Sequence, residues 1–175
     1  SILRGTWPGW TAADTVAVQN YFSNVLWPAS AGWPTQGPAN KGAIYLEAGI
    51  AIAVFCDNDP SKFDHVMNMF RTFHGTCLMD TLPTGQLGET GRDAGHAFGM
   101  LNAMTFVAEC AWKQGVDLYS ELDNRMLACG EYYARNTFTT DNPYVYFGTI
   151  DWQWISNKPG PYTASRGAFY ILQNA

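Results

Sequence analysis

The chain has 175 residues, a formal net charge of −5, and a composition 47% hydrophobic but only 14% charged. That apolar content suits one sizeable core and argues against disorder. The acidic balance, with few and scattered Lys and Arg, argues against nucleic acid. A membrane span is argued against by Glu47, which interrupts the run from Gly42 to Cys56 short of about 18 apolar residues.

The elements predicted along the chain are mostly helical. Thr11 or Asp14 caps a first helix that runs to about Trp27 and is stopped by Pro28. Trp33 to Pro38 reads as a loop from its Pro and Gly content, and a second helix covers roughly Ala39 to Cys56. Asp59 then caps a third, with Pro60 in its first turn. Phe63, Val66, Met67 and Phe70 repeat there at helical spacing down to about Phe73. A Gly/Pro loop leads to a long helix from about Glu89 to Lys113, ended by Gly115. Another helix holds Tyr119, Leu122, Met126, Leu127 and Tyr133, and residues Thr137 to Pro161 are irregular with at most short strands. Thr163 opens a last helix that runs to Ala175. The layout is all-α: residues 1–175 form a single helical domain or part of a larger one.

Charge is concentrated at one place. Glu89, Arg92, Asp93 and His96 fall within eight positions. On a helix starting at Glu89 they would share an arc of about 100°, with Phe98, Leu101 and Trp112 opposite. Such a cluster is either an internally satisfied network or the wall of a polar cleft, because unpaired buried charge is costly. Glu89, Asp93 and His96 converging on a metal is disfavoured by Arg92 among them and by the lack of HExxH or CxxC, so no metal or other cofactor is expected.

Aromatic residues make up 15% of the chain, and most are core by count alone. The group Tyr144, Tyr146, Phe147, Trp152 and Trp154 lies in a Gly-, Asn- and Pro-containing stretch and reads also as a platform for stacking sugar rings. Cys56, Cys110 and Cys129 sit in apolar helical runs as small buried hydrophobes, and Cys77 lies near a loop. His65 and His74 flank the third helix and read as solvent-facing or core-satisfied. The segment Ser1 to Arg4 has no long apolar region, which fits a mature secreted chain as well as a cytosolic one.

Five ordered segments carry a family resemblance. They are Asn40-Lys41-Gly42; Ile50 to Phe55 with Asp57; Gly85-Gln86 through Glu89 and on through Gly91-Arg92-Asp93-Ala94-Gly95-His96; Ala111 to Tyr119; and Glu131-Tyr132. Together, over roughly Asn40 to Tyr133, the chain resembles the alginate-lyase-like superfamily of uronic-acid polysaccharide lyases. The resemblance implies an (α/α) toroid, secretion to the extracellular space, and cleavage of a β-1,4-linked polyuronate by β-elimination. The family's domain is longer, so a partial toroid is expected, completed by a second chain or further segment over an open apolar flank.

β-Elimination removes the weakly acidic C5 proton and expels the C4 oxygen. It needs donors that neutralise the uronate carboxylate, together with a base and an acid. The resemblance implies that Asn40 hydrogen-bonds the carboxylate and that His96 acts as neutraliser or base. Arg92 either holds Glu89 and Asp93, the favoured role, or contacts the carboxylate. Tyr146 and Tyr133 are the leading candidates for the acid/base tyrosine, with Tyr170 behind them. Arg166, Trp152 and Trp154 join Arg92 as candidate substrate-binding residues, and Arg166-Gly167 resembles a late family segment. Position 94 is Ala where the family commonly has Gln, which removes one amide from the motif.

The alternative is a catalytically inactive carbohydrate-binding relative of the lyase fold. A glycoside hydrolase is disfavoured: it needs two carboxylates roughly 5–9.5 Å apart across a cleft, and Glu89 and Asp93 lie one turn apart with Arg92 between.

Overall fold

The computed structural model describes residues 2–30, 37–57, 59–138, 143–147 and 167–173. Among them the structure is helical, and no strand forms beyond one isolated antiparallel bridge between Thr81 and Leu87. No described helix is long and apolar enough to cross a membrane.

A short helix, α1 (Ile2–Thr6), precedes α2 (Ala12–Tyr21). Thr11 and Asp14 cap α2 reciprocally, each side chain accepting the other's backbone N–H. The helix does not stop at Pro28. It widens into a π-turn over Phe22–Leu26 and continues as α3 (Trp27–Ser30). Proline lacks the N–H for an i→i−4 bond, and its ring collides with that carbonyl. The wider turn, with Trp27 N–H bonded to the Phe22 carbonyl, brings the chain to Pro28 without breaking it.

The core is built on α4 (Asn40–Phe55), α5 (Pro60–Thr72) and α6 (Ala94–Lys113). Asp59 caps α5 by accepting from the N–H groups of Ser61 and Lys62, with Pro60 in the first turn as its sequence predicts. Helix α5 returns along α4. Gly49 faces Val66, each about the same distance from the intervening turn, and a Cβ on Gly49 would lie 2.9 Å from the Val66 side chain. The return is completed where Ala39 N–H donates to the Gly75 carbonyl and Thr76 Oγ1 to the Ala39 carbonyl. Helix α4 packs most extensively on α6, and Ala43, Leu46, Ile50 and Ala53 of α4 and Ala97, Leu101, Met104 and Ala108 of α6 are all buried in one core.

The long helix starts later than its sequence predicts. A 3-10 turn occupies Gly88–Gly91, and α6 begins only at Ala94, with Asp93 as N-cap. Phe98 and Leu101 are buried, but Trp112 is half exposed and meets the Tyr119 ring edge-on at the far end of α6. Tyr119 lies ahead of α7 (Glu121–Phe138), not in it. Helix α7 opens irregularly, since Leu122, Asp123 and Asn124 have φ of 49°, 58° and 59°. The last helix, α8 (Gly167–Leu172), packs on α6 and α7; Thr163, expected to open it, lies outside the described residues. All four cysteines are free thiols, Cys77 and Cys129 fully buried.

Among the described residues, several large apolar side chains of the N-terminal helices and α4 are exposed. Ile2, Leu3, Trp7, Val16, Tyr21, Val25 and Ile44 are each more than 40% exposed. Phe22, Leu26, Ile44, Tyr45, Ala48 and Ile52 line a trough of about 450 Å³ between the α2–α3 arm and α4.

Candidate functional site

The starts of α4 and α6 meet through Glu89. The 3-10 turn buries this residue to 1% exposure, and its Oε1 accepts the backbone N–H of Asn40, the first residue of α4, at 3.4 Å. The positive end of α4 therefore faces a carboxylate. Oε2 of Glu89 is buried without a hydrogen-bond partner among the described residues. Burial raises the Glu89 pKa above its ordinary 4.5, although the Asn40 N–H, Arg92 and His96 all pull it down.

Ala39, directly before Asn40, has φ 58° and ψ −124°, a conformation that costs an alanine free energy. Its bonds to Gly75 and Thr76 hold it there. Strained backbone at the entry to a charged cluster is characteristic of sites where geometry is fixed for a purpose.

Asp93 does two jobs with two oxygens. Oδ1 caps α6 by accepting the His96 N–H at 2.9 Å, and Oδ2 stands 2.6 Å from His96 Nδ1. Burial raises the Asp93 pKa, but the hydrogen bonds and charge of His96, with Arg92, outweigh it and leave it below the ordinary value. An ionised Asp93 assigns the proton to Nδ1, so that Nε2 is the basic nitrogen of the ring. The His96 side chain is 38% exposed. Replacing Asp93 with alanine removes both the cap and the ring's anchor. A loss of about 1–2 kcal/mol is expected in urea denaturation, along with free rotation of the His96 ring in its NMR spectrum.

Arg92 lies between the two carboxylates, Nη1 3.7 Å from Glu89 Oε1 and Nε 3.8 Å from Asp93 Oδ2, and is 16% exposed in its side chain. This placement suits a residue that holds Glu89 and Asp93. The convergence of Glu89, Arg92, Asp93 and His96 is real, but a 3-10 turn and an N-cap create it instead of one helical face. Among the described residues no group of three His, Cys, Asp or Glu could hold a metal ion.

An acid whose folded-state pKa is raised contributes stability below its unfolded pKa, near 4.5, and loses it as pH rises through the folded value. Glu89→Gln abolishes that titration. Its stability relative to the parent chain should therefore increase with pH from about 4.5 upward, measured by urea denaturation across a pH series.

The tyrosine candidates separate. Tyr133 is fully buried, its ring against Phe98 and its hydroxyl hydrogen-bonded to Thr90, and burial pushes its pKa well up. A hydroxyl enclosed in this way presents nothing to a polymer in solvent, which corrects the expectation that Tyr133 serves as acid or base. Its ring and hydroxyl instead brace Thr90, beside Glu89. Tyr146 is 63% exposed, on the segment 143–147. Arg166, Trp152 and Trp154 lie outside the described residues, as does the Tyr170 side chain. His65 packs edge-on against Trp27.

No family model, curated protein or solved structure matches the chain. The functional reading rests on the motifs and on this geometry. Two residues that the sequence reading left without a role emerge from it: Glu89, visible beforehand only as a member of the charge cluster, and Gln86. The signal for Gln86 was its place in Gly85-Gln86-Leu87-Gly88, a long polar side chain between residues suited to a tight, buried turn.

Proposed function

We propose that the chain is a secreted polysaccharide lyase that cleaves a β-1,4-linked polyuronate, mannuronan or glucuronan, by β-elimination. The observation that carries this reading is the Asp93–His96 pair at the start of α6, joined through Arg92 and Glu89 to the start of α4 at Asn40. An imidazole oriented by a carboxylate can take a proton on Nε2, and Asn40 is tied to the same cluster through its backbone N–H.

In this scheme the C5–H bond breaks and its proton passes to the base, His96 Nε2 or an ionised tyrosine. The electron pair forms the C4–C5 double bond, the C4–O bond breaks, and the leaving oxygen takes a proton from the acid. Asn40 and His96 are the candidates to neutralise the uronate carboxylate, and Tyr146, exposed where Tyr133 is buried, is the candidate acid. The return of α5 along α4, with α6 starting at the same end as α4, fits a helical hairpin unit of an (α/α) toroid. In that reading the apolar trough beside α4 receives a further helix of the toroid.

The burial of Tyr133 favours a second reading, a carbohydrate-binding relative without turnover. Incubation with mannuronan and glucuronan separates the two. The lyase yields an unsaturated uronate end that absorbs in the ultraviolet, whereas binding without absorbance supports the relative.

A further inference from the structure

Gln86 is 2% exposed, yet both ends of its amide are used on a single distant residue. Nε2 donates to the Val145 carbonyl at 2.6 Å and Oε1 accepts the Val145 N–H at 2.9 Å. The side chain thus pairs with the backbone as a neighbouring strand would, satisfying one donor and one acceptor of Val145. Gln86 is itself held firmly: its carbonyl accepts from Leu82 N–H, the Thr81–Leu87 bridge spans it, and Gly85 packs against Ala128 of α7. A second tie fixes the same segment two residues earlier, where Tyr132 Oη donates to the Pro143 carbonyl at 2.9 Å. Val145 and Tyr146 remain exposed, at 57% and 63%. An exposed aromatic residue on a segment without regular structure is normally mobile; here its backbone is bonded on either side of position 144.

We propose that Gln86 is the positioning residue of Tyr146: its amide fixes the path of segment 143–147 and so holds the Tyr146 ring where a saccharide meets it. This rests on the reading of Tyr146 as a substrate-facing group. It adds that the Gly85-Gln86 motif acts through Val145 and not by touching sugar.

The test uses Gln86→Met, which keeps volume and removes both bonds, and Gln86→Glu, which keeps the acceptor and loses the donor when ionised. Hydrogen exchange at the Val145 amide is read first. It should accelerate about tenfold or more in Gln86→Met and less in Gln86→Glu, with α6 amides unchanged. Affinity for a mannuronate trisaccharide is read next, for Gln86→Met, Tyr146→Ala and the double variant. Each single variant should weaken binding, and the double should be little worse than Tyr146→Ala, because both act through one ring. Unchanged exchange at Val145 overturns the proposal, as does a double variant whose losses simply add. If exchange accelerates while the parent chain neither binds nor cleaves the sugar, the clamp stands as a backbone device, and both its saccharide role and the lyase reading fall.

Discussion

His96→Ala is expected to reduce polyuronate elimination by about 10²–10⁴-fold, the usual contribution of a positioned base. The fold should survive, because the ring is partly exposed and Asp93 caps α6 through the residue's backbone N–H, which alanine retains. His96→Gln should recover little, since an amide can donate to Asp93 but has no basic nitrogen. The rate of appearance of unsaturated ends, with circular dichroism as the check on fold, is the measurement. Near-parental turnover in His96→Ala would show that the Asp93–His96 pair only caps a helix.

The largest effect on stability is expected at Gly85. Its φ of 84° is in the left-handed region, and an added Cβ would lie 2.1 Å from the Ala128 carbonyl oxygen and 2.6 Å from the Cys129 nitrogen. Both are backbone atoms of α7 and cannot swing aside as a side chain would. Gly85→Ala must shift either the turn or the helix, a loss of roughly 2–5 kcal/mol. In a chain of this size that lowers Tm by roughly 5–15 °C. Gly99→Ala is the control: nothing lies within 4 Å of its Cβ position in α6. There the gain in helix propensity should raise stability by about 0.5–1 kcal/mol. If the two alanines behave alike, the packing of the turn on α7 is wrong.

The helices were legible where local chemistry and tertiary packing agree. Asp59-Pro60 marks the start of α5, and the apolar run from Ala39 to Cys56 becomes α4 within a residue at each end. They were misread where a tertiary partner overrides local signals. Pro28 is absorbed by a π-turn, and Glu89 to Arg92 bend into a 3-10 turn that places Glu89 under Asn40. The charge cluster was legible because four ionisable residues in an apolar neighbourhood must find one another. Its link to α4 was not, since 49 residues separate Asn40 from Glu89. Nor could spacing reveal that Tyr133 faces inward, or that Gln86 reaches 59 residues ahead to Val145. Both depend on which face of α7 meets α6 and the 3-10 turn.

Elimination and hydrolysis differ by one molecule of water for each bond broken, and the mass of the products reads that difference. Polymannuronate and polyglucuronate are digested by the parent chain in ordinary water, and the products are weighed by mass spectrometry. A lyase breaks the C4–O bond and forms a double bond, so its unsaturated end carries no solvent oxygen and the two products together have the mass of the parent segment. Products heavier by one water for each bond broken, or no cleavage of either polymer, would contradict the lyase proposal.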